Sequence, residues 1–151
     1  MKLLITSLLL ISALSAELKV GKSFPALTLV DQFNEKTEVK TKGSGTLLLS
    51  FEKDVSAKIK TYLDAKEKDF LALNNIMYIS DISSMPSFIT RMFALPKMKK
   101  FSFKVALIYD DEEALYLNRK KGKVTVIRLK NNTITSIKFV EAKALDTALN
   151  R

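Results

Sequence analysis

The feature that most restricts the fold of this chain is a continuous apolar segment followed at once by an amphipathic one. Residues 46–51 read TLLLSF, a near-unbroken apolar run that is typical of a strand covered on both faces. Over residues 55–73, apolar side chains recur near helical spacing, with lysines and acids between them. Asp54 is well placed to cap the start of this helix. The pattern predicts a buried strand that runs directly into a helix.

The segments on either side extend this pattern into an α/β domain. Residues 27–30 and 37–39 are short strand candidates joined by a polar turn, which predicts an N-terminal β-hairpin. Residues 76–79 predict a further buried strand. A helix is predicted after it, with Pro86 in its first turn and with Pro96 ending or kinking it.

The C-terminal third predicts a strand, a hairpin and a helix. Residues 103–109 have the composition of a strand, and two β-branched runs follow at 124–129 and 133–139. The Asn-Asn pair at 131–132 joins these runs and suits the positive backbone angles of a tight hairpin turn. Residues 141–149 then predict a last helix.

Residues 1–16, MKLLITSLLLISALSA, have the pattern of a targeting segment. Lys2 precedes an apolar run that is shorter than the roughly 20 residues needed to span a bilayer. Small residues close the segment, which predicts a secretory signal peptide cleaved after Ser15 or Ala16. An uncleaved N-terminal anchor is the alternative. We therefore expect export, with a periplasmic location.

The inventory of reactive side chains excludes several kinds of chemistry. The 151-residue chain contains neither cysteine nor histidine. A disulfide, a cysteine nucleophile and a Ser-His-Asp triad are therefore impossible, and the two best soft metal ligands are missing. Residues 17–151 are predicted to form one domain that depends on packing alone. The net charge of +9 favours anionic partners.

Three phrases occur in a fixed order: VGKSFPALTLVDQFNEKTEVK at 20–40, FSFKVALIYDDEEALYL at 101–117 and KVTVIRLKNNTITSIKF at 123–139. Together they resemble the thioredoxin-like superfamily, in particular its secreted thioredoxin/peroxiredoxin-like branch. The sequence is also similar to a group of small, poorly characterised periplasmic proteins of proteobacteria. The resemblance implies a three-layer α/β sandwich, in which helices flank a central mixed sheet behind an N-terminal β-hairpin.

The sequence departs from that superfamily at its reactive positions. In redox members the nucleophilic cysteine lies five residues after the aromatic residue that closes the central strand. Counted from Phe51, that position is Ser56, and the second cysteine position is Ile59. The cis-proline of redox members falls at about Gly122 or Lys123, with no proline nearby. Because no histidine is present to activate the hydroxyl, we expect Ser56 to be structural and predict no thiol-redox or hydrolytic site.

Two basic clusters form the candidate partner surface. They predict contact with an acidic protein or with anionic lipid headgroups, and the alternative is a solvated loop whose phenylalanines face the core. Lysines interleaved with aromatics also suit single-stranded nucleic acid, which an exported protein rarely meets. The first cluster is Lys97, Lys99, Lys100 and Lys104, and the second is Arg119, Lys120, Lys121 and Lys123.

No cofactor or metal site is predicted. The acidic residues 110–113 have the oxygen ligands that calcium and magnesium prefer, but they lack EF-hand spacing and its glycine, so a charged turn is expected. Met85, Met92 and Met98 are expected to pack in the core rather than to contact a soft metal. The four glycines form no dinucleotide-binding motif.

The sequence thus predicts an exported thioredoxin-like protein without a redox site, which acts as a non-catalytic binding or structural module. Two alternatives remain open. One is an accessory of periplasmic thiol-redox metabolism that binds redox partners without turnover. The other is a peripheral binder of an anionic membrane surface.

Overall fold

The computed structural model describes residues 17–150, so the predicted signal peptide lies outside the described residues. The strands are β1 (Thr28–Asp31), β2 (Lys36–Glu38), β3 (Ser44–Ser50), β4 (Ile76–Asp81), β5 (Ala106–Ile108), β6 (Val124–Lys130) and β7 (Thr133–Val140). The α-helices are α1 (Lys53–Asp64), α2 (Phe70–Leu73), α3 (Ser87–Ile89), α4 (Leu95–Met98) and α5 (Leu145–Leu149). A π-helical turn, Thr90–Ala94, joins α3 to α4, and 3₁₀ turns lie at Asp111–Ala114 and Ala142–Ala144.

The strands pair into one mixed sheet in the order β2-β1-β5-β4-β3-β6-β7. The three central strands, β5, β4 and β3, run parallel to one another. β1 pairs with β5 and β6 pairs with β3, both in the antiparallel sense. The predicted mixed sheet is therefore present, and the carboxyl ends of its parallel strands meet at one edge, where α1 begins.

β3 shows why its sequence is continuously apolar. Leu47 and Leu49 belong to the core cluster on one face of the sheet, and Leu48 belongs to the cluster on the other. All three side chains are fully buried. Successive side chains of a strand point to opposite faces, so a strand covered on both sides needs apolar residues throughout.

Different elements cover the two faces. Side chains of α1, α2, α4 and α5 pack in the cluster that contains Leu48. The opposite cluster contains Leu18, Phe24 and Leu27 from the N-terminal segment, together with Ala114 of a 3₁₀ turn. Helical turns thus flank the sheet, as predicted. Among the described residues, no helix is long and apolar enough to cross a membrane.

Both predicted hairpins are confirmed. β1 pairs with β2, with Thr28 opposite Glu38, and β6 pairs with β7. Asn131 and Asn132 adopt φ angles of 49° and 63°, the left-handed conformation that a two-residue hairpin turn requires.

The helix predicted over residues 55–73 is instead two helices. α1 ends at Asp64, and α2 begins only at Phe70. The intervening KEKD at 66–69 supplies no side chain to the core, so packing does not hold this stretch in one continuous helix. The predicted cap was also wrong: α1 begins at Lys53, which places Asp54 in the first turn, and no side-chain cap hydrogen bond is made there.

Pro86 lies elsewhere than predicted, and of the two outcomes predicted for Pro96 the end of the helix was wrong. Pro86 is the residue before α3, in an extended conformation, rather than part of its first turn. Pro96 does not end the helical segment but lies in the first turn of α4. The π turn ends at Ala94, directly before α4, and the Leu95 N–H donates to the Thr90 carbonyl. Pro96 has no N–H to donate to the carbonyl four residues earlier, so a regular α-helix would lose a hydrogen bond there. The π turn, which is wider than an α-helical turn, lies directly N-terminal to this position.

Candidate functional site

Four hydroxyl groups meet at the junction of β3 and α1, the place where the sequence resemblance implies the missing cysteine positions. Ser50 Oγ lies 2.8 Å from Ser56 Oγ, 3.0 Å from Tyr78 Oη and 3.2 Å from Ser80 Oγ. Ser56 Oγ also lies 3.2 Å from Ser80 Oγ and donates to the Glu52 carbonyl at 3.0 Å. We call Ser50, Ser56, Tyr78 and Ser80 the hydroxyl cluster.

The hydroxyl cluster contains no group able to activate a nucleophile. The recorded partners of Ser56 Oγ are hydroxyls and one backbone carbonyl, neither of which is a useful base at neutral pH. Burial raises the pKa of Tyr78, and its hydrogen bonds to the serines only partly oppose that effect, so the phenol is neutral. The arrangement explains Ser56 as a structural residue.

The other positions implied by the resemblance have clear places. The Ser56 N–H donates to the Glu52 carbonyl at 2.9 Å, so Ser56 lies one turn inside α1. Ile59 is fully buried in the helix-side core. Gly122 lies beside the start of α1, and its N–H donates to Glu52 Oε1 at 2.6 Å. No cis peptide bond occurs among residues 17–150.

Three of the eight predicted basic residues are held by contacts within the molecule. Lys104 Nζ lies 3.2 Å from Asp31 and 2.6 Å from Glu35. Lys123 Nζ lies 3.1 Å from Glu141, whose pKa is lowered to about 2 by Lys143 and Lys123. These two lysines therefore connect segments that are separate in sequence and adjacent in the fold.

Arg119 is the third of these residues. Its guanidinium lies 4.3 Å from the centre of the Phe51 ring, and Nη1 lies 3.7 Å from Asp81. Nη2 donates to the Ala114 carbonyl at 3.2 Å. Arg119 therefore fastens the 3₁₀ turn to the carboxyl edge of the sheet, a role that the sequence did not reveal.

The other five basic residues divide between two places. Lys97, Lys99 and Lys100 are exposed at the end of α4, whereas Lys120 and Lys121 are exposed in the turn before β6. Phe103 is buried and Phe101 packs against the same core, as the solvated-loop alternative expected of the phenylalanines.

A groove of about 500 Å³ lies between α1 and residues 85–105. Ser56, Tyr78 and Ser80 of the hydroxyl cluster line one part of it. The apolar lining includes Met85, Ile89, Phe93, Met98 and Phe101, and the basic lining consists of Lys53, Lys60 and Lys97. Of these three lysines, Lys97 belongs to the partner surface predicted from the sequence, whereas Lys53 and Lys60 do not.

The helical segment 87–98 exposes large apolar side chains. Phe88, Met92 and Phe93 are 63%, 59% and 62% exposed, and Ile89 is also exposed. The rings of Phe88 and Phe93 meet edge to face, with centroids 6.4 Å apart. The expectation that Met92 packs in the core was therefore wrong. We call Phe88, Ile89, Met92 and Phe93, with Arg91, Lys97, Lys99 and Lys100, the helical surface.

One signal in the sequence could have revealed the helical surface. Residues 82–109 contain five basic residues and no aspartate or glutamate. In a chain with 16 acidic residues, an acid-free stretch of this length indicates that its exposed part carries one sign of charge.

The acidic residues 110–113 form a turn, as expected. Asp110 Oδ1 accepts the N–H of Glu112 at 3.0 Å and so caps the 3₁₀ helix Asp111–Ala114. In the part of the chain that the structure describes, no three carboxylates converge as a metal site would require.

The fold is thioredoxin-like. Peroxidoxin BcpB from Mycobacterium tuberculosis superposes with a TM-score of 0.60 at 13% identity, covering 89% of this chain and 96% of that one. The thioredoxin domain of a thiol-disulfide oxidoreductase from Bacteroides vulgatus gives 0.58 at 12% identity, covering 89% and 98%. A peroxiredoxin-like protein from Aquifex aeolicus gives 0.55 at 16%, covering 89% and 85%.

These similarities confirm the fold that the sequence resemblance implied. A scan against protein-family models and a search of curated proteins found no match. The solved neighbours have the thioredoxin-like architecture, whereas this chain has no cysteine with which to perform thiol chemistry.

Proposed function

We propose that this protein is an exported, non-catalytic binding module built on a thioredoxin-like fold. The observation that carries the proposal is the hydroxyl cluster. At the β3–α1 junction, Ser50, Ser56 and Ser80 hydrogen-bond to one another, and within residues 17–150 no base hydrogen-bonds to the Ser56 hydroxyl. The hydroxyl groups at this junction have hydrogen-bond partners within the protein, as buried polar groups in a structural network do. We therefore assign the junction a structural role rather than a catalytic one.

The binding surface in this proposal is the helical surface. Exposed apolar side chains grouped with basic ones are typical of an interaction site. Lys97, Lys99 and Lys100 belong to this surface, and none of them makes an ion pair within residues 17–150. The proposed location is the periplasm, on the pattern of residues 1–16.

The non-catalytic part of the proposal is tested by insulin reduction and peroxide consumption. We expect rates equal to those of buffer, because a hydroxyl cannot replace a thiolate in either reaction. A rate above background that survives repurification would overturn this part.

The binding part is tested by capture from a cell-envelope extract that contains both membranes and proteins. Lys97→Glu, Lys99→Glu and Lys100→Glu together should reduce what is captured. A matched control reverses Lys22, Lys42 and Lys130, which are exposed around the β6–β7 turn at the opposite end of β3. Equal capture by both triple variants would remove the helical surface from the proposal.

A second candidate function is an accessory of thiol-redox metabolism, which binds redox partners without turnover. The contact between Gly122 and Glu52 favours it, because the resemblance implies that the segment carrying the cis-proline in redox members lies beside the start of α1. If this function is correct, the captured molecules should be cysteine-containing proteins, and capture should depend on Lys120 and Lys121 beside that segment.

A further inference from the structure

We propose that the helical surface binds an anionic phospholipid bilayer, with Phe88, Met92 and Phe93 inserted at the interface. The inference rests on the proposed function, since it names the partner of the same surface.

The shape of the segment suits a soft, flat partner. From 87 to 93 the buried residue is Thr90, whose hydroxyl donates to the Pro86 carbonyl at 3.3 Å. The phenylalanine and methionine side chains around it are exposed on the helical segment, and Phe93 also lines the groove beside α1. A folded partner would need a matching hollow for each ring, whereas the interfacial region of a bilayer accommodates projecting apolar side chains directly.

The charge of the segment suits an anionic leaflet. Arg91, Lys97, Lys99 and Lys100 lie on or directly after the helical segment, and residues 82–109 contribute no acid to offset them. Lys104, the fifth basic residue of this stretch, is paired with Asp31 and Glu35 and is left out of the surface. Basic residues next to apolar ones are the combination that holds interfacial helices on anionic lipid.

A second copy of this chain fits the surface poorly. Pairing two helical surfaces would bring eight basic side chains together without an acid between them, which like-charge repulsion opposes. The bilayer is the partner that satisfies both the apolar and the basic residues.

The test uses a fluorescent probe within the surface. The chain has no tryptophan, so Met92→Trp introduces a single one. In the full chain, with residues 1–16 the same in every variant, we expect its emission to shift to the blue on vesicles that contain phosphatidylglycerol. The shift should weaken with phosphatidylcholine alone and with high salt. Leu73→Trp, at a 76% exposed site on α2, is the control and should not shift.

Two further changes, each made in the Met92→Trp protein, separate the contributions. Phe88→Ser with Phe93→Ser should weaken partitioning about tenfold or more, because two exposed rings no longer insert. The Lys97, Lys99 and Lys100 reversal should weaken it about a hundredfold on anionic vesicles. The Lys22, Lys42 and Lys130 reversal, at the far end of β3, should weaken it far less.

The outcomes are distinct. No blue shift at Met92→Trp, or a shift unaffected by the phenylalanine and lysine changes, overturns the bilayer inference. Sedimentation equilibrium gives a second test. A dimer that dissociates when Phe88→Ser and Phe93→Ser are introduced also overturns the inference, because a second copy then covers the surface. Capture of a soluble protein through the helical surface without vesicle binding overturns the inference but leaves the proposed function standing. Redox turnover overturns the non-catalytic proposal alone.

Discussion

At the scale of single residues, the exchange of sulfur for oxygen decides what the β3–α1 junction can do. A cysteine at position 56 would have a thiolate accessible near neutral pH, whereas a serine hydroxyl keeps its proton without a base. The Ser56 hydroxyl instead makes hydrogen bonds with the hydroxyls of Ser50 and Ser80 and with the Glu52 carbonyl. The spacing to Phe51 singles out Ser56 in the sequence, but its hydroxyl partners lie on β3 and β4 and cannot be seen in the local sequence.

Lys104 shows the limit of judging a charged residue by its neighbours in the chain. In sequence it belongs to a basic cluster, yet it reaches Asp31, a residue 73 positions earlier. Asp31 is 2% exposed and accepts the N–H groups of Phe33 and Glu35 at 2.8 and 3.0 Å. The ion pair between Lys104 and Asp31 therefore stabilises the N-terminal hairpin and does not form part of a partner surface.

Asp31→Asn should lower the free energy of unfolding by about 1–3 kcal/mol at pH 7, since a buried charge-assisted network is lost. Burial raises the pKa of Asp31, but the backbone N–H groups and Lys104 outweigh this, so that the pKa is lowered in the fold. A carboxylate with a lowered folded pKa stabilises the protein above about pH 4, and that stability disappears as the pH falls through the folded pKa.

Urea unfolding of the wild type and Asp31→Asn between pH 7 and pH 2.5 measures this effect. The difference between them should shrink below about pH 4. Lys104→Ala, at an exposed ammonium, should change stability by less than about 1 kcal/mol. A difference that stays constant across the range would show that the charge of Asp31 is not what stabilises the hairpin.

At the scale of elements, alternation and turn chemistry predicted the strands well, while helical periodicity misled over residues 55–73 and again over residues 88–93. Apolar residues at 88, 89, 92 and 93 repeat as a buried helix face does, yet the structure buries Thr90 and exposes the others. A periodic pattern shows that a helix has an apolar side, not that this chain supplies the surface that covers it. The π turn before Pro96 could not be predicted, since it depends on how the helix is accommodated in three dimensions.

The β6–β7 turn allows a prediction from two neighbouring asparagines. Both have positive φ angles, which glycine adopts without cost. Asn131→Gly should therefore leave stability within about 0.5 kcal/mol or raise it slightly. Asn132→Gly removes the hydrogen bond from Asn132 Nδ2 to the Phe24 carbonyl, 3.0 Å long, and should cost about 1 kcal/mol. Thermal unfolding of the two variants in parallel gives the comparison, and a greater loss at position 131 would contradict it.

At the scale of the whole molecule, the order of the elements was predictable and the long-range contacts were not. The sheet follows from strands whose apolar pattern and turns are local properties of the chain. The contacts that decide which basic residues are free, such as Arg119 with Asp81 and Lys123 with Glu141, appear only once the sheet has formed. Three of eight basic residues in the predicted partner surface were for this reason structural.

The two core clusters meet across β3, so the molecule should unfold as one unit. Leu48→Ala and Leu49→Ala open cavities on opposite faces, and each should cost about 2–5 kcal/mol. Each variant should show a single transition, with far-ultraviolet circular dichroism and tyrosine fluorescence coinciding. Tyr78 lies in one cluster and Tyr116 beside the other, so the fluorescence reports on both. Separate transitions in either variant would mean that the two layers unfold independently.

The position of β7 at the end of the sheet has a consequence for how crowded copies of this protein behave. This eight-residue strand pairs with β6 on one side, and an outer strand of that length offers backbone groups to strands of other molecules. Lys138 stands exposed near the end of this strand, and a charged side chain on an outer strand opposes the stacking that leads to fibrils. The opposite outer strand, β2, is only three residues long and offers little to pair with. Concentrated solutions of the folded protein should therefore stay free of edge-to-edge aggregates.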